Sequence, residues 1–178
     1  MKYFDELVRS MAYLAQHEKT IFLGQSIAYP GHALFKTLTH VPEEKRLELP
    51  VAEEFQMGFS TGLALEGFIP VTFYPRWDFL ILATNQLVNH LDKTPLISDG
   101  KMRPRVIIRT AVGSVHPLYP GVQHSQNHTE AFQKMLNTVE VVELQEPEQI
   151  YPEFVRALTR EDSRSTLFVE YGDYYTEK

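Results

Sequence analysis

Apolar positions along this chain follow two alternating rhythms. Phe4, Leu7, Val8, Met11, Leu14 and Ala15 recur at the three- and four-residue spacing of one helical face, which predicts an opening helix. Thr20-Ile21-Phe22-Leu23-Gly24 is a short apolar run ended by glycine, the pattern of a buried strand. From 25 to 49 no period holds. Pro30-Gly31, Pro42 and the charged run Glu43-Glu44-Lys45-Arg46 predict a long functional loop with local helix. Residues 53–66 read as a helix stopped by Gly67, and 69–74 as a second buried strand. Asp78 is placed to cap a further helix, whose Phe79, Leu82, Ala83, Gln86, Leu87 and His90 share a face. After a polar loop around Ser98-Asp99-Gly100-Lys101, strands are expected at 105–110, 139–144 and 165–170. Helices at 129–136 and 148–159 lie between them.

Strands that alternate with helices predict an α/β fold: three αβα layers, with a mostly parallel central sheet covered by helices on both faces. The 178 residues fit one domain large enough for a real core, with no repeat or linker in it. In such sheets ligands sit outside the carboxyl ends of the strands. Gly24, residues 74–78 and residues 110–126 all follow strands and should meet on one rim.

Composition narrows the function classes. With 43% hydrophobic and 22% charged residues the chain is unlike a disordered one. A net charge of −6 argues against nucleic-acid binding, because Arg103 and Arg105 do not make a cationic surface. No cysteine is present, so there is no disulfide, thiolate nucleophile or cysteine-zinc site, in agreement with a reducing, cytoplasmic setting. The N-terminus lacks an apolar signal core, and no apolar run approaches the roughly 18 residues that span a bilayer. Neither nucleic acid nor membrane is therefore an expected partner.

The candidate chemistry starts at Leu49-Pro50-Val51-Ala52-Glu53, which delivers a carboxylate to a helix start whose next turns carry Gly58 and Gly62. Two readings compete. Glu53, like Glu54, can be a first-turn acid stabilised by the free N–H groups of the helix. It can equally be a buried proton-handling group, with the glycines admitting another backbone or a flat ligand. His124 and His128 invite a metal reading, but no glutamate completes a zincin pattern and no third ligand is evident, so no metal site is expected. Ser114 and Ser125 lack a nucleophile-elbow context.

The order of the pieces resembles the pyrimidine-binding domain of thiamine diphosphate-dependent enzymes, most closely the beta subunit of pyruvate dehydrogenase-type 2-oxo acid dehydrogenases. Phe22-Leu23-Gly24-Gln25 is similar to that family's Leu-Gly-Glu strand end, with Gln25 replacing the usual acid. Gly31-His32-Ala33-Leu34-Phe35-Lys36 is similar to its Gly-Gly-Val-Phe-Lys loop. Leu49 to Glu53 matches Thr-Pro-Ile-Ser-Glu, and Gln123-His124-Ser125-Gln126 is identical to its Gln-His-Ser-Gln signature.

The resemblance implies a role for each matched residue. Glu53 would hydrogen-bond a pyrimidine nitrogen and favour the imino tautomer that takes the thiazolium proton. Phe79 would stack on the pyrimidine, a core position on an amphipathic helix being its lesser reading, with Pro75 and Val51 beside the cofactor. His124 would orient substrate or transfer protons. Gln123, His116, Tyr119 and Arg76, with Trp77, would shape the substrate pocket.

The diphosphate half normally carries Gly-Asp-Gly followed by Asn-Asn. Here Asp99-Gly100 and Gly172-Asp173 have no such sequel. The chain is therefore expected to be one pyrimidine-binding domain, without a diphosphate-binding or C-terminal transketolase domain. A separate subunit would hold the diphosphate and Mg²⁺, in a heterotetramer. The leading expectation is a transketolase-like transferase or carboligase acting on a small-molecule donor and acceptor. A beta-type dehydrogenase subunit and a non-catalytic binding subunit are the alternatives.

Overall fold

The computed structural model describes residues 2–178. Its helices are α1 (Tyr3–Ala15), α2 (Glu53–Leu65), α3 (Trp77–Leu80), α4 (Thr94–Ile97), α5 (Thr129–Met135), α6 (Pro147–Thr159) and α7 (Tyr174–Glu177). Its strands are β1 (Thr20–Gly24), β2 (Arg46–Glu48), β3 (Ile69–Tyr74), β4 (Ile107–Val112), β5 (Glu140–Glu143) and β6 (Thr166–Tyr171). All pairings are parallel, in the order β2-β1-β3-β4-β6-β5.

Side chains alternate across this sheet and build two cores. Phe22, Phe73, Ile107 and Phe168 pack with Leu7, Met11 and Leu14 of α1 and Phe154 of α6. Ile108, Leu167 and Val169 pack on the other face with Met57 of α2, Trp77 and Leu80 of α3, and Phe132 of α5. The expected three layers are present. Fully burying an aliphatic or aromatic side chain is worth about 1.5–3 kcal/mol, so this two-sided burial is what holds the parallel sheet together.

The structure corrects three expectations. β2 makes a sixth strand inside the segment read as loop. It is a half-buried edge strand, Arg46-Leu47-Glu48, that pairs with Phe22 to Gly24 and needs no apolar run. The helix expected from Asp78 is instead α3, a 3-10 turn (Ile81–Ala83) and a π-helical turn (Gln86–Leu91). Tighter and wider turns shift the helical phase. Trp77, Leu80, Ala83, Leu87 and Leu91 face the core as a result, whereas Leu82 and His90 are exposed and Phe79 and Gln86 half-buried. Finally, Asp78 is not the cap: Arg76 occupies that position, and Asp78 accepts Gln126 Nε2 at 2.7 Å from within the first turn.

Asp92 anchors the lower end of this layer. Its fully buried Oδ1 accepts the backbone N–H groups of Asn137, Thr138 and Val139 at 2.8, 2.7 and 2.9 Å, and Lys93 Nζ lies 2.7 Å from Oδ2. Burial pushes this carboxyl up, but the ammonium and the three amides outweigh it and hold it down to about 2. Because the folded value is depressed, this stabilisation is complete above the ordinary value of 3.8 and is lost as pH falls toward about 2. Asp92→Asn should cost about 1–3 kcal/mol at neutral pH and flatten the pH dependence of urea midpoints between those two values. Equal acid sensitivity in wild type and variant would contradict that assignment. Among the described residues no helix is long and apolar enough to cross a membrane.

Candidate functional site

β1, β3, β4 and β6 end on one rim, and the residues that follow them form the site. At Gly24 a Cβ would meet the Phe73 carbonyl oxygen at 2.8 Å with φ at +153°, so glycine is what lets β1 leave the sheet here. The next residues are clamped. Glu48, at the end of β2, accepts the backbone N–H groups of Ser26, Ile27 and Ala28 at 2.6, 2.9 and 2.8 Å. His32 Nε2 lies 2.8 Å from the Gln25 carbonyl oxygen, and Nδ1 lies 3.3 Å from the Phe35 N–H. A carbonyl only accepts, so Nε2 carries the hydrogen and Nδ1 accepts. Burial holds this imidazole below its ordinary value, which keeps it neutral in that role.

Glu53 is the first residue of α2 and is 5% exposed. Its Oε1 accepts from Gln25 Nε2 at 3.1 Å, and its carbonyl oxygen accepts from the Tyr74 hydroxyl at 3.3 Å. Oε2 accepts no hydrogen bond among the described residues. Burial holds the Tyr74 phenol well above its ordinary value, so it is a neutral donor there.

Beside this carboxylate a cleft of about 310 Å³ opens at the strand ends, lined by Gln25, His32, Pro75, Arg76, Phe79 and Ser114 among others. Arg76 is its cation, and among the described residues no carboxylate lines it. Glu53, Val51 and His124 lie outside the lining. Gln25 links Glu53 to the cleft, and Phe79 links it to His124, whose ring lies 5.7 Å from the phenyl ring. Arg76 Nη1 donates to the His124 carbonyl oxygen at 2.5 Å. A Cβ on Gly113 would collide with both of those groups, which is why the chain has glycine there. His124 Nδ1 and Asp78 Oδ2 are buried without a hydrogen-bond partner among the described residues.

The remaining candidates are spread along the rim. Gln123, His116 and Tyr119 are exposed, and Val51 is 79% exposed. Asp173 fixes the start of their loop by accepting from Ser114 Oγ at 2.8 Å and from the Val115 and His116 amides at 3.0 Å. Trp77 is fully buried against Phe132, ring centroids 4.8 Å apart, and shapes no pocket. A larger cavity of about 410 Å³ lies at the opposite end of the sheet, near Leu91, Arg103 and Arg164, and includes none of the candidate residues. Gln25, Glu48 and His32 were not singled out as site residues. The signal available was Gln25 itself, a polar residue at a strand end in place of the resembling family's acid.

Known proteins place this arrangement. The chain is 30% identical over 134 residues to the pyruvate dehydrogenase E1 component subunit beta of Gracilaria tenuistipitata var. liui, an alignment covering 73% of this chain and 41% of that protein. It is 33% identical over 136 residues to the chloroplastic subunit beta-4 of the same component from Oryza sativa subsp. japonica, covering 74% and 34%. Homologues of this chain are beta subunits of pyruvate dehydrogenase. This chain is also 26% identical over 122 residues to the 3-methyl-2-oxobutanoate dehydrogenase subunit beta of Mycobacterium tuberculosis, covering 66% of this chain and 33% of that protein. Among solved structures, a split-gene transketolase in an inactive beta4 tetramer superposes with a TM-score of 0.71 at 16% identity, covering 94% of this chain and 50% of that one. The fold is thus transketolase-like. No protein-family model matches. The chain spans between 33% and 41% of the length of these curated relatives.

Proposed function

We propose that this chain is the pyrimidine-binding subunit of a two-component thiamine diphosphate-dependent enzyme. One observation carries the reading: a nearly buried carboxylate, Glu53, has one oxygen engaged by Gln25 and the other without a partner, at the rim where the strands end. Oε2 keeps some contact with solvent, so a ligand can reach it at the rim. The residues fit an aminopyrimidine. Glu53 Oε2 offers an acceptor for a ring nitrogen, and Phe79 offers an aromatic face in the cleft.

When bound, the cofactor would supply an acidic thiazolium carbon as the nucleophile for a carbonyl. In this chain Glu53 would hold the proton of the pyrimidine edge, and His124, with Nδ1 unpartnered, would hold or deliver a proton at the substrate. Arg76, in a cleft without carboxylates, favours a negatively charged substrate such as a 2-oxo acid.

A diphosphate-binding partner with Mg²⁺ would complete the site in a heterotetramer. An exposed apolar face supports such a partner: Val51 and Phe55 are 79% and 53% exposed, and Phe55 stacks on Phe59 at 5.6 Å along α2. We read the reaction as transfer of a two-carbon unit from a 2-oxo acid or ketose to an acceptor carbonyl, in the cytoplasm. The dehydrogenase reading is the second, favoured by the names of the curated relatives. Both subunits together, screened against donor and acceptor pairs, should give a ligated product. Reduction of an artificial electron acceptor without any ligated product would select the dehydrogenase reading.

A further inference from the structure

Glu53 has a partner that the residue's proposed role does not account for. Gln25 follows the last residue of β1, and three separate contacts fix its position. Glu48 clamps the amides of the next three residues, His32 holds the Gln25 carbonyl oxygen, and Gly24 abuts the Phe73 carbonyl so that the strand end cannot drift. The product of this scaffolding is a side-chain amide delivered to Glu53 Oε1 at 3.1 Å.

We propose that Gln25 is a positioning residue for Glu53. It fixes Oε1, leaves Oε2 free to accept from a ligand, and does so without being an acid. The proposal rests on the reading of Glu53 given above. The physical distinction lies between a carboxamide and a carboxylate at this site. An amide N–H donates to the carboxylate and carries no charge. A second carboxylate at the same distance would have no N–H to donate and would repel it.

Other groups near Glu53 do not supply that function. The Tyr74 hydroxyl contacts only its backbone carbonyl, Glu48 is occupied by loop amides, His32 is held neutral, and Glu54 faces Asn85 and Gln86.

The test is Gln25→Ala, with Gln25→Glu, a near-isosteric change, as the second variant. The Glu53 side-chain carboxyl ¹³C shift is read at one neutral pH in the free chain, its signal assigned by its loss in Glu53→Gln. In both variants that signal should move, because the amide donor to Oε1 is gone, and thiamine diphosphate binding in the two-subunit assembly should weaken about tenfold, the loss of one hydrogen bond's positioning. An unmoved signal in Gln25→Ala, with the thermal midpoint retained, would overturn the proposal, as would wild-type affinity in both variants. A moved signal without cofactor binding in any form would leave the Gln25–Glu53 contact standing and overturn the cofactor reading instead, so the two failures are distinguishable.

Discussion

Glu53→Gln should lower kcat of the assembled enzyme by about 10²–10⁴-fold, the usual worth of a positioned proton-transfer group, while the chain unfolds at nearly the wild-type temperature. The two halves of that result have separate causes. The substituted amide keeps the shape and an acceptor for Gln25 Nε2, so the packing around α2 is unchanged. What disappears is the capacity to share a proton with a ring nitrogen. Glu53→Ala should lose as much rate, with some stability as well, since Gln25 then loses its partner. Assembly should persist in both variants, because Glu53 is buried and the exposed apolar face belongs to Val51, Phe55 and their neighbours. Rates within about twofold of wild type in the glutamine variant would return Glu53 to the role of a helix-start acid.

The second large effect concerns stability. Arg109 on β4 and Glu170 on β6 are both fully buried, and the carboxylate takes Nε at 2.5 Å and Nη2 at 2.8 Å in a two-point contact. Thr37 accepts Nη1 at 2.9 Å, the Tyr175 hydroxyl donates to the same carboxylate, and Phe73 lies under the guanidinium at 4.8 Å. Removing one member strands a charge in the core, which costs about 3–5 kcal/mol, whereas removing both leaves mainly a packing defect. Glu170→Ala should therefore lower the urea midpoint severely, and pairing it with Arg109→Met should recover much of the loss. Additive losses in the double variant would contradict this reading. Tyr175 lines the cleft, so the pair also supports the floor of the candidate site.

How much of this was legible in the sequence depends on the kind of interaction. The alternation of apolar runs with helical stripes gave the parallel three-layer fold, because strands buried on both faces must be continuously apolar and their crossovers amphipathic. β2 stayed hidden because an edge strand of three residues with charged ends carries no such signal. The face of the segment after β3 was misphased because 3-10 and π turns depart from 3.6 residues per turn, and nothing in residues 77–91 announces them.

The rim was legible from strand ends, and Glu53 from its place in a motif. Its contact with Gln25 crosses 28 positions and depends on the sheet bringing β1 and α2 together, which local pattern cannot reveal. Trp77 lay in the right segment, but the helix turns its ring into the core.

The most direct measurement is a calorimetric titration of thiamine diphosphate with Mg²⁺ into this chain, into its diphosphate-binding partner and into the two co-purified. Tight saturable binding only in the combined sample is the expected result if the chain supplies the pyrimidine side and the proposed partner the diphosphate side. Tight binding by this chain alone would contradict the split site, and no binding in any sample would contradict the cofactor reading of Glu53.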